Sequence, residues 1–192
     1  MTGDAPRELA VWLRLITAPP EPFIPLEWQG RKICAMTEPK GLHYYWKTEY
    51  AAELRDELLT TVSGQFAECP VPGAELGFLH LGGAINEHPE DDGAVGNRNA
   101  RYVPGVNGMW EPNEPRAEAY RQWIRDAWRR QRPFATGRTY INFQTADDSQ
   151  ERVRASYGAN YARLADIKRR YDPGDLFRVN RNVVPSKVVP ES

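Results

Sequence analysis

The stretch Arg-Thr-Tyr-Ile-Asn-Phe-Gln at residues 138–144 carries the clearest strand pattern in the chain. Side chains of a strand point alternately to its two faces, so Ile141 and Phe143 are expected to share one face that meets helices. The opposite face would then present a row of hydrogen-bonding groups, which predicts a site on that side of a sheet. The members of this row are Tyr140, Asn142 and Gln144.

Three helices are predicted around this strand, because apolar residues recur at spacings of three and four over residues 48–66, 113–132 and 149–171. Pro133 ends the second helix and Asp172-Pro173-Gly174 ends the third, since a residue before proline avoids the helical region. The apolar stripes are, in chain order, Leu54, Leu58, Leu59, Val62 and Phe66; Ala117, Tyr120, Trp123, Ile124, Ala127 and Trp128; and Val153, Tyr157, Tyr161, Leu164 and Ile167.

Further short apolar runs predict strands at residues 8–16, 31–36, 74–81 and around 101–103. The order of elements favours an α+β fold, in which a mostly antiparallel sheet is covered on one face by helices and a C-terminal tail packs back. Residues 1–40 are interpreted as partial N-terminal strands with a proline-rich loop, and residues 41–192 as the main domain. The prolines of that loop are Pro19, Pro20, Pro22 and Pro25.

The charge balance argues against nucleic acid or an anionic membrane as a partner. Lys and Arg number 25 against 26 Asp and Glu, which leaves no basic excess. The densest basic cluster is interpreted as the solvated face of the second helix, since the aromatic residues fall on the other side of that helix. The alternative is a single-stranded nucleic acid site, in which the neighbouring aromatic rings would stack on bases. The cluster consists of Arg125, Arg129, Arg130 and Arg132.

Two cysteines, Cys34 and Cys69, are too few for a disulfide framework, and we therefore expect a cytoplasmic protein. No signal pattern opens the chain, and no apolar run approaches the ~20 residues of a membrane span. His43 and His88 lack ligand spacing with any other His, Cys, Asp or Glu, so no metal site is predicted.

A succession of short motifs in the C-terminal half resembles the tail of the berberine-bridge-enzyme-like branch of the vanillyl-alcohol-oxidase flavoprotein superfamily. Upstream, Trp46-Lys47 before a helix, Leu81-Gly82-Gly83-Ala84 after a strand, and Asn97-Arg98 agree with the same family. The resemblance covers nearly the whole chain from Leu42 onward. The C-terminal motifs are Tyr140-Ile141-Asn142, Tyr157-Gly158-Ala159-Asn160-Tyr161, Ile167-Lys168, Tyr171-Asp172-Pro173, Leu176-Phe177 and Asn180-Arg181-Asn182-Val183-Val184-Pro185.

This resemblance implies the C-terminal, substrate-binding part of an FAD-dependent oxidoreductase that oxidises a hydroxyl- or amine-bearing organic substrate. Tyr140 would hold the position of the catalytic tyrosine, which removes a substrate proton if its pKa is pulled below ~10. Asn142 and Asn182 would contact the flavin, and His80 and Gln144 the substrate. Structural roles remain open for several of these residues: Tyr140 as a cross-strand aromatic, His80 as a buried histidine, and Asn180 and Asn182 as solvated or capping residues.

Two features depart from the family pattern. Its flavin-binding half is missing from this sequence, which contains neither a GxGxxG motif after a strand nor a phosphate loop. The stretch between Met36 and Gly41 is also shorter than in relatives.

The expected partner is a separately encoded flavin-binding half, and the uncovered sheet face is expected to promote self-association. The alternative is a non-catalytic remnant or binding module without flavin.

Overall fold

The computed structural model describes residues 40–179 and 181–187 in full, together with the backbone of residues 26–28 and 31–33. Its main sheet has three antiparallel strands, in which Tyr102–Trp110 is central between His43–Thr48 and Glu75–His80. A separate two-stranded ribbon pairs β1 with β2. The strands are β1 Leu26–Trp28, β2 Arg31–Ile33, β3 His43–Thr48, β4 Glu75–His80 and β5 Tyr102–Trp110.

Five α-helices complete the described part of the fold, and two short 3₁₀ turns, Arg132–Phe134 and Ile141–Phe143, lie between the third and the fourth of them. Helix α3 packs on β5 and β3, and α1 packs against α3. None of the described helices combines the length and the apolar character needed to cross a membrane. The helices are α1 Asp56–Ala67, α2 Ala84–Glu87, α3 Ala117–Gln131, α4 Gln150–Tyr157 and α5 Asn160–Tyr171.

The predicted fold class is confirmed, because helices cover one face of an antiparallel sheet. On that face Val106 and Trp110 of β5 pack against Tyr120 and Ile124 of α3. Period-two alternation turns Val103 to the other face, where it joins a second, smaller cluster with Tyr50 and Ala100. The C-terminal tail packs back along the helices. Its backbone bonds at two points, from Ser186 to the carbonyl of Ala165 and from Val184 to the hydroxyl of Tyr161.

The strand predicted over residues 138–144 is wrong. Tyr140 has extended backbone angles, but Ile141–Phe143 forms a 3₁₀ turn, and Phe143 N–H donates to the carbonyl of Tyr140. A 3₁₀ helix has three residues per turn, so successive side chains no longer alternate between two faces as they do in a strand. The expected polar row of Tyr140, Asn142 and Gln144 therefore does not form.

Two helix predictions also need correction. The predicted single helix over residues 149–171 is two helices, which break at Gly158 where φ is +55°. The first helix begins at Asp56 instead of Thr48, because residues 43–48 form an edge strand of the sheet. Its buried stripe runs through Leu58, Val62 and Gln65, which leaves Phe66 64% exposed.

Other predicted elements agree with the structure more closely. The strands predicted at 74–81 and around 101–103 are β4 and β5, and β2 confirms the start of the one at 31–36. The second helix is α3, in which Tyr120, Ile124 and Ala127 are buried but Trp123 and Trp128 only partly so. The strand predicted at 8–16 and the proline-rich loop lie outside the described residues.

Candidate functional site

Tyr140 lies beyond the edge of the sheet, in the cluster that occupies the face without helices. Its ring makes an edge-on contact with Phe143, with 5.3 Å between ring centroids. Its hydroxyl accepts a 2.7 Å hydrogen bond from Nδ2 of Asn142. Asn142 is exposed and Tyr140 half-buried, so the phenol has an apolar body and a polar, accessible edge. A donor at this distance stabilises a phenolate more than a phenol.

Tyr50 is a second phenol in the same cluster, and sequence reasoning missed it. Its side chain is only 5% exposed and packs in the cluster that Tyr140 joins. Burial, reinforced by the negative charge of an ionised Tyr140 and opposed by Arg98, raises the pKa of Tyr50 to about 12. Tyr50 is therefore neutral at physiological pH. No local sequence signal marks Tyr50, because its place beside Tyr140 depends on long-range packing.

The segment that carries Tyr140 is held to the end of β3 by Tyr50. Tyr50 N–H donates to the carbonyl of Arg138 at 2.7 Å, and Thr136 N–H donates to the carbonyl of Tyr50 at 2.8 Å. These bonds fix the backbone at Thr136 and at Arg138, two residues before Tyr140. The segment thus pairs with the chain just after the edge strand and then turns away from the sheet.

Arg98 approaches the site from the loop that follows α2. Its guanidinium donates to the carbonyls of Ile85 at 3.0 Å and of Asp92 at 3.1 Å. The Nε atom of Arg98 is buried and has no hydrogen-bond partner within the part of the chain that the structure describes. Arg98 therefore links Ile85 of α2 to Asp92 of this loop. Its positive charge lowers the pKa of Tyr50 and so opposes the effect of burial.

His80 lies at the end of β4, directly opposite Tyr102 of β5. The two rings pack with 5.2 Å between centroids, and the His80 side chain is exposed. A side chain on Gly82 would approach this imidazole to 3.2 Å, so glycine leaves room for the ring. The structure does not bury His80, and its predicted role in substrate binding remains a prediction.

The other predicted site residues make contacts away from Tyr140. Gln144 is buried and donates from Nε2 to Oγ of Ser156 at 2.8 Å, which turns it toward α4. Asn182 donates from Nδ2 to Asp175 at 2.8 Å, and its carbonyl accepts from Gln150. Asn180 lies outside the described residues. The structure thus brings together Tyr140 and Asn142 but separates Gln144 and Asn182 from them.

A buried group of charged residues crosses the edge of β3 on the helix-covered face. Lys47 Nζ lies 2.8 Å from Oδ1 of Asp147 and 3.0 Å from Oδ1 of Asp148. Arg152 NH1 lies 2.6 Å from Oε1 of Glu49, a carboxylate that also accepts from the indole of Trp128. Sequence reasoning did not identify this group, since its partners are about one hundred residues apart.

Electrostatics in this charged group follow from burial and pairing. Burial alone would raise the pKa of Asp147, but hydrogen bonds from Lys47, Thr145 and Tyr45 hold it well below its usual range. Burial raises the pKa of Glu49, and the neighbouring Arg152 opposes that shift. Each acid has a cationic partner, which is the condition under which buried charges persist.

Two clefts of about 530 and 370 Å³ open on the described surface, and neither is lined by Tyr140. The larger follows the outer face of α3 around Trp123, and the smaller lies between Trp128 and Arg152. Within the described residues, no three His, Cys, Asp or Glu side chains are grouped to hold a metal ion.

Comparison with known proteins finds a family-model match within the C-terminal part of the chain. Residues 139–184 match the family model described as berberine and berberine like. An FAD-linked oxidoreductase of Dictyostelium discoideum is 25% identical over 149 residues, which cover 77% of this chain and 32% of the relative. The aclacinomycin-N/aclacinomycin-A oxidase of Streptomyces galilaeus is 29% identical over 130 residues, or 58% of this chain and 23% of the relative.

Solved structures of the same group share the fold. The chain superimposes on wild-type berberine-bridge-like protein 1 of Physcomitrella patens with a TM-score of 0.65 at 23% identity, covering 76% of this chain and 31% of that structure. It matches the berberine bridge enzyme of Eschscholzia californica with a TM-score of 0.66 at 18% identity, over 76% of this chain and 33% of that one. The chain therefore spans about a third of the length of these relatives.

Proposed function

We propose, from the berberine-like match of residues 139–184, that this chain is the C-terminal, substrate-binding part of an FAD-linked oxidoreductase that oxidises a hydroxyl- or amine-bearing organic molecule. The relatives support an oxidoreductase family through their FAD-linked members. The observation that carries the proposal is the Tyr140–Asn142 pair, in which a half-buried phenol accepts a 2.7 Å hydrogen bond at its accessible edge.

Tyr140 is the proposed base for the substrate proton. Removing a hydride from a carbinol carbon leaves a carbonyl only when the hydroxyl proton also departs, so a base must lie beside that oxygen. The amide of Asn142 stabilises the phenolate by donating to its oxygen. Tyr50 stays neutral beside it, so it places no second negative charge at the site. His80, exposed at the end of β4, is proposed as a further substrate contact, although alternation along β4 turns it to the face opposite Leu79, which packs in the Tyr140 cluster.

FAD would supply the hydride acceptor when bound. Asn142 fits a contact with its ring, because the side chain is exposed at the accessible edge of Tyr140. Asn182 fits less well, since its amide already donates to Asp175 and that bond would have to open. The proposed role of this chain is therefore to hold the substrate and accept its proton, with most of the cofactor bound elsewhere.

A flavin-binding half, on the same polypeptide or separately encoded, is the proposed partner. The chain spans about a third of its relatives, and those relatives are named as FAD-linked. The exposed tail surface, defined as Tyr171, Leu176, Phe177 and Val179, offers a place for such a partner to bind. The cytoplasmic location expected from the cysteine content stays part of this proposal.

The test is to co-express the chain with a flavin-binding polypeptide and to follow flavin absorbance. A complex that retains FAD and is bleached anaerobically by hydroxyl-bearing aromatic or glycosidic compounds would support the function. A flavin-loaded complex that no such compound reduces, while dithionite does, would count against it. Omitting the chain gives the matched control, since the flavin partner alone should bind FAD without substrate-dependent bleaching.

A second candidate is a binding module without flavin chemistry. The specific observation in its favour is the tail surface, where Leu176 and Phe177 are 75% and 74% exposed. In the absence of any flavin partner, a preparation that binds another protein through this surface would support the module. Loss of that binding in a Leu176→Ser/Phe177→Ser variant would locate the contact.

A further inference from the structure

Tyr140 lacks the support that a strand would give it, so something else must hold its phenol in place. Tyr140 follows an irregular segment whose backbone hydrogen bonds to Tyr50 are made at Thr136 and Arg138. Thr139, the residue directly before Tyr140, is 2% exposed. Because neighbouring residues in extended backbone point to opposite sides, the burial of Thr139 determines the side to which Tyr140 turns.

Among the described residues, the Thr139 hydroxyl has one hydrogen-bond partner. Its Oγ1 lies 2.8 Å from Oγ1 of Thr48, and both hydroxyls are buried. Thr48 is the last residue of β3 and pairs with Gly105, where a Cβ atom would approach Cγ2 of Thr48 to 3.2 Å. The glycine therefore gives Thr48 the space to project toward Thr139.

The pair joins the rigid sheet to the residue beside the candidate base. Thr48 belongs to a strand with six consecutive register partners in β5, whereas the segment at 135–140 has no regular secondary structure. We propose that Thr139, through its hydroxyl bond to Thr48, is a positioning residue that holds the Tyr140 phenol at the hydrogen-bond distance of Asn142. This inference rests on the proposed role of Tyr140 as base.

The test reads the phenol directly and needs no activity. The full chain is labelled with tyrosine carrying ¹³C at the ring ζ carbon, and the Tyr140 signal is identified by its loss in Tyr140→Phe. In Thr139→Val the titration midpoint of Tyr140 is expected to rise by about 0.4–1 pH unit, which corresponds to one lost hydrogen bond to the phenolate. Thr139→Ser keeps the hydroxyl and should restore the wild-type midpoint.

The double variant Thr48→Val/Thr139→Val keeps the experiment decisive if Thr139→Val fails to fold. It leaves no orphaned hydroxyl, so it should fold, yet it lacks the bond and should show the same raised midpoint. A folded double variant with the wild-type midpoint would overturn the proposal. Tyr50 and Arg98 also face this site, so each variant is repeated with Tyr50→Phe to separate their influence. Failure of Tyr140 as a base would appear separately, as unchanged turnover in Tyr140→Phe.

Discussion

The ammonium group of Lys47 lies 3.0 Å from Oδ1 of Asp148, and both side chains are almost fully buried. The pair joins the edge strand β3 to the loop before α4. On the other face of the same strand, Thr48 contacts Thr139. Residues 139–148 therefore wrap around the edge of β3, and this arrangement connects the charged group to the segment that carries Tyr140.

Lys47→Met is expected to destabilise the chain by about 3 kcal/mol, because it removes one of the two cations that pair with the buried carboxylate of Asp148. This loss of unfolding free energy is at the lower end of the range for a broken buried ion pair, about 3–5 kcal/mol, because Arg152 Nε still lies 2.9 Å from Oδ1 of Asp148. Urea unfolding of both proteins measures the difference. Arg55→Met, at an exposed pair with Glu53, is the control and should cost less than 1 kcal/mol, the usual limit for such pairs (about 0–1). Equal effects would show that the Lys47 pair adds nothing by being buried.

Asp147 should contribute to acid sensitivity. Its folded pKa lies below the unfolded value of about 3.9, so its stabilising contribution is present above that pH and is lost as the pH falls through and below it. The melting temperature of Asp147→Asn should therefore lie below wild type at neutral pH, and the gap should close under acid conditions. The side chain is 38% exposed, which weakens the effect through solvent screening.

Glu53→Gln provides the control for this pH series, because Glu53 pairs with Arg55 at the surface. Its melting temperature should follow wild type at each pH. If the gap between wild type and Asp147→Asn stays constant into acid, the hydrogen bonds from Lys47, Thr145 and Tyr45 do not stabilise the ionised form of Asp147.

The tail surface should drive self-association when no partner is present. Asp172 accepts hydrogen bonds from the backbone N–H groups of Leu176 and Phe177, which holds this loop while both side chains face solvent. Leu176→Ser/Phe177→Ser should lower the associated fraction in sedimentation velocity and leave the unfolding curve unchanged. Phe66→Ser, at an exposed phenylalanine on α1, is the control and should leave association as in wild type. Self-association was expected through the uncovered sheet face, so variants of Tyr140 and Asn142 test that alternative.

Periodic patterns predicted the elements whose apolar stripe packs on a regular neighbour. Helix α3 is the best case, since Tyr120 and Ile124 meet β5 as the spacing requires. In α1 the stripe drifted by one residue, because Gln65 bonds to Gln131 and the carbonyl of Ala127 and takes the buried place expected for Phe66.

The candidate site was predicted less completely, since long-range bonds decide its shape. Tyr140 and Asn142 lie together, but a 3₁₀ turn brings them together and not the predicted strand. The alternation of residues 138–144 is real in the sequence, yet among the described residues the backbone after β3 bonds only to the beginning of this segment, from Tyr50 N–H to the carbonyl of Arg138. Neither Tyr50 nor Thr48 carries a local signal for a role beside a residue ninety positions away.

The isolated chain is expected to bind FAD weakly or not at all, because the sequence provides no glycine-rich loop for the pyrophosphate. Protein purified with excess FAD and then desalted should show less than stoichiometric flavin absorbance. Stoichiometric retention would mean that this chain holds the cofactor by itself and would remove the need for a flavin-binding partner.

Tyr140→Phe is the decisive variant for the proposed chemistry. It removes one hydroxyl and keeps the ring that packs against Phe143, so folding should be unchanged. In the complex with a flavin-binding partner, turnover is expected to fall by about 10²–10⁴, the usual contribution of a general base. Flavin content should stay the same, because the phenol acts on the substrate proton. Tyr157→Phe, which removes a hydroxyl from a half-buried ring of α4 that packs with Tyr161, is the matched control. Normal reduction of the flavin by substrate in Tyr140→Phe would leave Tyr140 a packing residue, and the base would have to be sought elsewhere in the complex.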